Sequence, residues 1–515
     1  MPPTVNDTHL KKHSKLDIGR PEVVLARLRG DGLVARCLRS GAVLSCGTFV
    51  AKLFGFGSKM LLTRLLLPQD MGLAVMVLSM TQLFDVLTEV GVKQSVIQHR
   101  SGAEPEYLNM AWWFQVVRGV GLYSAAFFAA PWLCAFYFQA NVEVLSHHSM
   151  SEIIWLIRVS FMTLMFNVLL SPKAYVLEKT LRFGKVVLIV QGGLVLGTVT
   201  TIALAFALRN AWAIAIGFTS GAFFRCLLSY VLCPYMPRLQ YDGESFQSLC
   251  RFARGMVGLP LITYIGYHAD ILVAGKLVAT SAIGYYGMAR VFAAIPRDLA
   301  AQIVNPVLTS AIATKQDDMV SLRGAVLRLT RLTSVMLLPS LVVAVFCGRT
   351  VLALVFGPEY AAASTAFSLC YMNTVLLVQG AIFVSFYFGT GHPARNRRFL
   401  ALRALILGIL VYPAVQVLGI AGAAAAASLA SLTCLCVQVS ASRRVLKFRA
   451  IDYVLSWVPG LLAASPILVL FLILHVVQPG GQILRLTMGA AGAVLGSLIT
   501  LSLRSWRGAS WHVTR

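Results

Sequence analysis

Apolar runs of about 20 residues recur along this chain, and no other feature limits its fold so severely. About fourteen such runs can be traced, near 40–62, 71–92, 110–137, 152–172, 186–208, 211–232, 256–279, 282–312, 328–347, 363–388, 401–418, 420–440, 452–477 and 482–503. Each is long enough to cross a ~30 Å hydrocarbon layer as a helix. In such a layer every backbone N–H and C=O must find a partner inside the protein, which a helix provides by itself. Composition agrees: 58% of the residues are hydrophobic and 12% are charged, against about 25% charged in soluble domains. The remaining residues make short connections and leave no room for a large extramembrane domain. The expected fold is an all-α polytopic membrane protein.

The formal net charge is +24, which could suggest a nucleic-acid partner, so placement has to decide. With the N-terminus set in the cytoplasm, about 32 of the 44 Lys and Arg fall in the tails and even-numbered loops and about five in odd-numbered loops. Short loops rich in Lys and Arg stay cytoplasmic, so the excess encodes orientation, with both termini inside and an even number of spans. Attraction to lipid headgroups is a secondary effect, and no nucleic-acid partner is expected. The basic tail 1–39 lacks the charged region, apolar stretch and cleavage site of a secretory signal. The ten cysteines lie in or beside apolar runs with no metal-ligand spacing and read as small buried hydrophobes.

The longest internal polar stretch, 233–255, begins Cys233-Pro234-Tyr235-Met236-Pro237 and continues through Asp242, Gly243, Glu244 and Arg251. It reads as a cytoplasmic linker between two six-helix lobes, 40–232 and 256–440, with helices thirteen and fourteen and the C-terminal tail in 441–515. An internal echo supports duplication. Arg64-Leu65 stands eight residues before Gly72, and Lys276-Leu277 eight before Gly284, an offset of roughly 212 residues. Duplicated halves about a central axis are a common transporter plan, with the substrate site between them. Interior Gly192-Gly193, Gly258, Pro260, Pro306, Pro339, Pro413 and Pro466 read mainly as close packing and fixed kinks, some as hinges.

Charges inside the runs are the most informative residues. A charge near the bilayer centre costs at least about 2.5–3.5 kcal/mol and normally faces a bundle interior or wet cavity. Lys52 lies roughly 18 Å deep at 1.5 Å rise per residue; Asp85, Arg118, Asp270 and Arg290 are also too deep for comfortable contact with lipid. Lys52 and Lys59 are seven apart and share a helix face, as do Arg290 and Arg297. Asp85, Glu89 and Lys93 repeat every four residues as one stripe, with Gln82 nearby. Arg158 and Arg225 lie near helix ends and can snorkel. Lys52, Lys59, Arg118, Arg290 and Arg297 are therefore the candidate substrate-binding cations. Asp85, Glu89 and Asp270 are either their counter-ions or protonatable coupling groups. Buried Lys and Arg suit a multiply charged anion, and Arg's fork suits phosphate. A soluble sugar needs no such cations; a lipid-attached diphosphate does.

Several segments resemble the Wzx-like polysaccharide flippases of the multidrug/oligosaccharidyl-lipid/polysaccharide exporter superfamily. Arg64-Leu65-Leu66-Leu67-Pro68-Gln69-Asp70-Met71-Gly72 resembles the signature at the end of the first helix. Ala269-Asp270-Ile271-Leu272-Val273-Ala274-Gly275-Lys276-Leu277 resembles the seventh-helix pattern, followed by Ile283-Gly284-Tyr285-Tyr286-Gly287-Met288-Ala289-Arg290. Phe356-Gly357-Pro358-Glu359-Tyr360 resembles the element after the ninth helix. The resemblance implies a two-lobed bundle whose central cavity is lined by helices one, two, seven and eight. It implies alternating-access flipping, ion-coupled, of undecaprenyl-diphosphate-linked oligosaccharide repeat units across the bacterial inner membrane, for exopolysaccharide or surface-polysaccharide assembly. Membrane lipids, a polysaccharide polymerase and export proteins would be its partners.

Two alternatives share part of this evidence. A murein-precursor flippase or drug exporter of the same superfamily has the same fold, although export of cationic drugs would favour acidic cavities. A membrane-embedded polymerase or glycosyltransferase would need catalytic groups on sizeable outer loops. The longest outer loop, 138–151, offers only Glu143, His147 and His148, and these histidines read as solvated surface. Gly480-Gly481 is not followed by Lys-Ser or Lys-Thr, so no phosphate-cradling loop is present. The chain reads as a non-enzyme with no cofactor and no metal.

Overall fold

The computed structural model describes residues 33–477 apart from 88, 140, 181, 239–240, 257 and 315–317, with side chains from 45 to 471 apart from those residues, 302–317 and 393. The basic tail as far as residue 32 and the expected fourteenth span lie outside the described residues.

Every regular element among the described residues is helical. In chain order these are α1 (Leu33–Leu65), α2 (Pro68–Leu87), α3 (Val92–Gln98), α4 (Pro105–Phe138), α5 (Val142–Leu145), α6 (Met150–Val168), α7 (Lys173–Lys179), α8 (Phe183–Leu208) and α9 (Ala211–Leu232). After the linker come α10 (Gly243–Met256), α11 (Leu259–Leu277), α12 (Thr280–Thr314), α13 (Met319–Phe356), α14 (Ser364–Gly389), α15 (Pro393–Leu446), α16 (Ala450–Leu455) and α17 (Val458–Val477). The spans expected at 401–418 and 420–440 are the two arms of α15. They are broken at Gly419, whose φ of 57° and ψ of −134° leave the helical region, a conformation glycine adopts most readily.

Two differences from the sequence reading have local causes. The linker is not merely a joint, because α10 buries Leu249 and Ala253 along one side. Its start is set by Asp242, which accepts from Ser245 N at 3.0 Å; the Ser245 hydroxyl, with that backbone bond, holds the carboxyl below its ordinary pKa. The continuous stripe expected from Asp85 through Glu89 to Lys93 does not form. Helix α2 stops at Leu87, Gly91 takes a φ of +69°, and Lys93 belongs to α3, where it pairs with Glu178 at 2.8 Å.

Packing partners repeat between the halves. In the first half α1 lies against α8, α4 against α6, and α6 against α9; in the second, α11 packs on the first arm of α15, α13 on α14, and α14 on the second arm. Small residues bring α8 and α9 close: a Cβ on Gly197 would stand 2.5 Å from Gly221 Cα, and one on Gly217 1.8 Å from Thr201 Oγ1. Such small-residue seams let backbones approach where apolar transfer gives no driving force. Gly193 has the same role against Arg225, whose Cβ would be 2.6 Å from an added methyl. Helix α17 packs on α13 as an appendage, with Phe471 stacked on Phe346 at 5.4 Å.

The halves meet chiefly where α2 crosses α12. A Cβ on Gly72 would lie 1.8 Å from the Thr280 carbonyl oxygen, and a Cβ on Gly284 would lie 2.2 Å from the Pro68 carbonyl oxygen. Pro68 and Thr280 stand apart by the same offset as the two glycines. The contact is thus reciprocal, as a two-fold relation between duplicated halves requires.

Candidate functional site

The α2–α12 crossing closes one end of the bundle, which carries the α1–α2, α4–α6 and α11–α12 connections and is here termed the sealed end. Polar bonds reinforce it: Asn141 Nδ2 donates to Thr280 Oγ1 at 2.8 Å, and Ser281 N to Glu143 Oε2 at 3.2 Å. Lys276 Nζ donates to Phe136 O at 2.6 Å. The expectation that His148 is solvated surface is wrong. Its imidazole is wedged between carboxylates, 2.9 Å from buried Asp70 at the start of α2 and 3.1 Å from Glu152 on α6. The hydrogen bond to Asp70 raises its pKa above the ordinary histidine value; burial opposes this and Glu152 adds to it. His147, its neighbour, is exposed.

Beneath the sealed end a cavity of about 880 Å³ runs between the halves, from Met71, Ile271 and Tyr286 down to Glu89, Met256 and Leu259 at the opposite, linker end. Lys59, Glu89, Asp270, Arg290 and Arg297 all line it, so five of the eight expected residues share one chamber. Asp270 is 3% exposed. It accepts two bonds from Arg290 Nη1, at 2.8 and 2.9 Å, and one from the Tyr286 hydroxyl at 2.6 Å. Arg290 also donates to the Tyr267 carbonyl and stands 3.3 Å from His268 Nδ1. Nearly all the acceptor capacity of this carboxylate is used by neighbours, as a buried charge needs. Tyr264 joins the halves by donating to Ser79 O at 2.6 Å, and His268 stacks on its ring.

The other three expected residues stand elsewhere. Lys52 lines an adjoining pocket of about 770 Å³ between α1, α8, α9 and α12, with Lys59 at the boundary of both spaces. Its ammonium is 2.6 Å from Asp298, and the two side chains remain 49% and 35% exposed. Asp85 and Arg118 face a third space of about 310 Å³ inside the first half, together with Glu89, Lys93, Tyr175, Glu178 and Arg225. Arg225 is not a snorkelling residue: it donates to Asn167, which in turn donates to Asp85 at 3.2 Å. Arg158 lies against aromatic rings, its guanidinium 4.1 Å from the Phe127 centroid.

Sequence reasoning missed Asp298, Asn167 and Arg403. Asp298 adjoins Arg297 and was hidden by that cationic stripe. Asn167 carries no charge to betray it. Arg403 sits close behind Arg395, Arg397 and Arg398, a basic group that reads as loop flank, yet it is 3% exposed and lines the central cavity.

A helical bundle of paired halves around a central cavity is the architecture of membrane transporters. The fold resembles the solved lipid II flippase MurJ in an inward closed conformation, with a TM-score of 0.73, 14% identity, and coverage of 90% of this chain and 98% of that one. It also resembles an inward-facing multidrug resistance MATE family transporter of the MOP superfamily, with a TM-score of 0.58 and 14% identity over 77% of this chain and 94% of that one. The chain belongs to the polysaccharide biosynthesis protein family, whose model matches residues 61–365. Relatives include the succinoglycan biosynthesis transport protein ExoT of Rhizobium meliloti, 24% identical over 72% of each chain. The lipopolysaccharide biosynthesis protein WzxC of Escherichia coli is 23% identical over 67% of this chain and 70% of its own.

Proposed function

We propose that this protein flips an oligosaccharide repeat unit, carried on undecaprenyl diphosphate, from the inner to the outer leaflet of the bacterial cytoplasmic membrane. The product feeds exopolysaccharide or surface-polysaccharide assembly. The observation that carries this reading is the cavity between the halves, lined by Lys59, Arg290 and Arg297 among aromatic and amide side chains, in a member of the polysaccharide biosynthesis family. The cations shelter the diphosphate, the polar lining takes the sugars, and the lipid tail stays in hydrocarbon. Lys52 and Arg118 extend the positive field from the adjoining pockets. Asp85, Glu89 and Asp270 are the counter-ions or coupling groups that keep it from being overwhelmingly cationic.

The positive-inside bias puts the linker end, and both termini, in the cytoplasm. The structure is then inward-directed with its outer end sealed. Transport requires the first half, 40–232, and the second, 256–440, to rock about the cavity until the α2–α12 seam parts and the linker end closes. No bond of the substrate changes, so no catalytic group is required; a polymerase and export proteins act downstream.

The test is the chemical identity and sidedness of the lipid-linked material that builds up when the gene is deleted. Complete repeat units confined to the inner leaflet support the reading. Flipped but unpolymerised units would assign the step to a polymerase, and accumulation of a murein precursor would assign it to cell-wall synthesis.

A further inference from the structure

The sequence directs attention to Arg290 as the cavity's anion-binding charge, but Arg290 is already neutralised by Asp270 at 2.8 Å. Arg403, on the first arm of α15, is in the opposite situation. Its Nε donates to Ser431 Oγ at 3.0 Å, and Ser431 in turn donates to Asn373 Oδ1 at 2.6 Å. Its guanidinium carbon stands 4.4 Å from the centroid of the Tyr267 ring. These contacts fix the plane of the group from two sides. Its Nη1 is shut away beside Gly266 without a hydrogen-bond partner among the described residues, its Nη2 donates to none of them either, and no carboxylate there forms an ion pair with the group. The side chain nevertheless lines the cavity, next to Asn373 and Thr374.

A guanidinium that is buried, held rigidly and left with an unused donor is costly to the folded protein. Such an arrangement persists when a ligand supplies the missing acceptor, since binding energy is gained where the site has been prepared in advance. The open side of a guanidinium fork matches an oxyanion with two acceptor oxygens.

We propose that Arg403 is the specificity-determining cation of the central cavity, binding an oxyanion of the substrate, a phosphate of the diphosphate or a sugar carboxylate, through the Nη2 side of its guanidinium. This rests on the reading that an anionic lipid-linked saccharide occupies the cavity. Arg290, tied to Asp270, then contributes to the field of the cavity with Lys59 and Arg297, and Arg403 discriminates. Asn373 and Thr374 stand where hydroxyls adjoining the anion would fall.

The experiment uses the full-length chain purified in detergent, with undecaprenyl diphosphate and, separately, a glucuronate-containing disaccharide as probes. Binding and the melting temperature without ligand are measured for the wild type, Arg403→Gln, Arg403→Lys and the exposed control Arg397→Gln. The expected result is a loss on the order of tenfold or more in Arg403→Gln for one probe, partial retention in Arg403→Lys, and none in Arg397→Gln. The probe affected identifies the oxyanion. Without ligand, Arg403→Gln melts at or above the wild-type temperature, because a buried charge with no directly paired carboxylate has been removed. Wild-type affinity for both probes in Arg403→Gln would overturn the proposal. So would a ligand-free melting temperature well below wild type in both Arg403 variants, which would make the residue structural. Should Arg403→Gln lose binding while the deletion strain accumulates no unflipped repeat units, the oxyanion site stands and the flippase reading falls; the reverse pattern removes only Arg403.

Discussion

The sealed end and the cavity beneath it share α2 and α12, yet they hold together by different means. At the sealed end Gly72 and Gly284 bring backbone to backbone, and shape does most of the work. One turn and more further along, α12 carries Arg290, Arg297 and Asp298, and cohesion comes from matched charges: Arg290 with Asp270, Lys52 with Asp298. Shape complementarity is indifferent to salt and pH. Charge matching depends on each partner's presence and on how well water screens it. Helix α12 thus takes part in both a rigid closure, with α2, and a tunable chamber, with α11 and α1.

The largest effect is expected in the chamber. Arg290→Ala leaves buried Asp270 without its cation and is expected to cost about 3–5 kcal/mol, read as a large fall in melting temperature in detergent. The double variant Asp270→Asn/Arg290→Gln should recover most of that loss. Recovery of stability without recovery of export would separate the structural part of the pair from its part in transport. At the sealed end, Gly72→Ala places a methyl on the Thr280 carbonyl and should destabilise by about 1–3 kcal/mol. Gly284→Ala should behave alike, and the double variant should cost less than the sum because both strain one seam.

A smaller effect tests the charged latch at the sealed end. His148 has a raised pKa in the closed arrangement, so its contribution is fully present below the free-histidine value of about 6.5 and is lost as pH rises through the raised value. Closure should therefore weaken toward alkaline pH. Maleimide labelling of a Ser281→Cys variant should accelerate over that range, and His148→Gln should flatten the profile. The smallest effect belongs to Lys52 and Asp298, whose exposure limits the pair to about 0.2–1 kcal/mol. A double-mutant cycle on melting temperature should find a coupling in that range, and a larger one would move Lys52 into the class of Arg290.

Much of this architecture was legible in the sequence because hydrocarbon leaves few choices. Length and apolarity locate the helices, and the break between 401–418 and 420–440 falls at Gly419. The repeated Gly72 and Gly284 signalled the duplication, and the structure shows why both are small. Burial partners were harder to read. Depth along a helix marks Lys52 as an awkward charge but cannot reveal Asp298, which comes from a helix far away in sequence. Arg403 was hidden by its basic neighbours, since linear charge density does not distinguish one turn inside a bundle from one outside it. His148 was read as surface because its main partner, Asp70, lies 78 residues earlier on α2 and only folding brings it to the ring; Glu152, four residues on, was the one local clue.

The reciprocal contact of Gly72 with Thr280 and Gly284 with Pro68 has a mechanical consequence. At these two points backbone rests on backbone with no side chain between, so the contact itself can part without waiting for rotamers to change. Because each backbone rests on its twin's equivalent, neither half can withdraw without releasing both contacts in the same movement. A membrane barrier built in this way tends to be fully shut or fully parted, and a leaky intermediate has little to stabilise it.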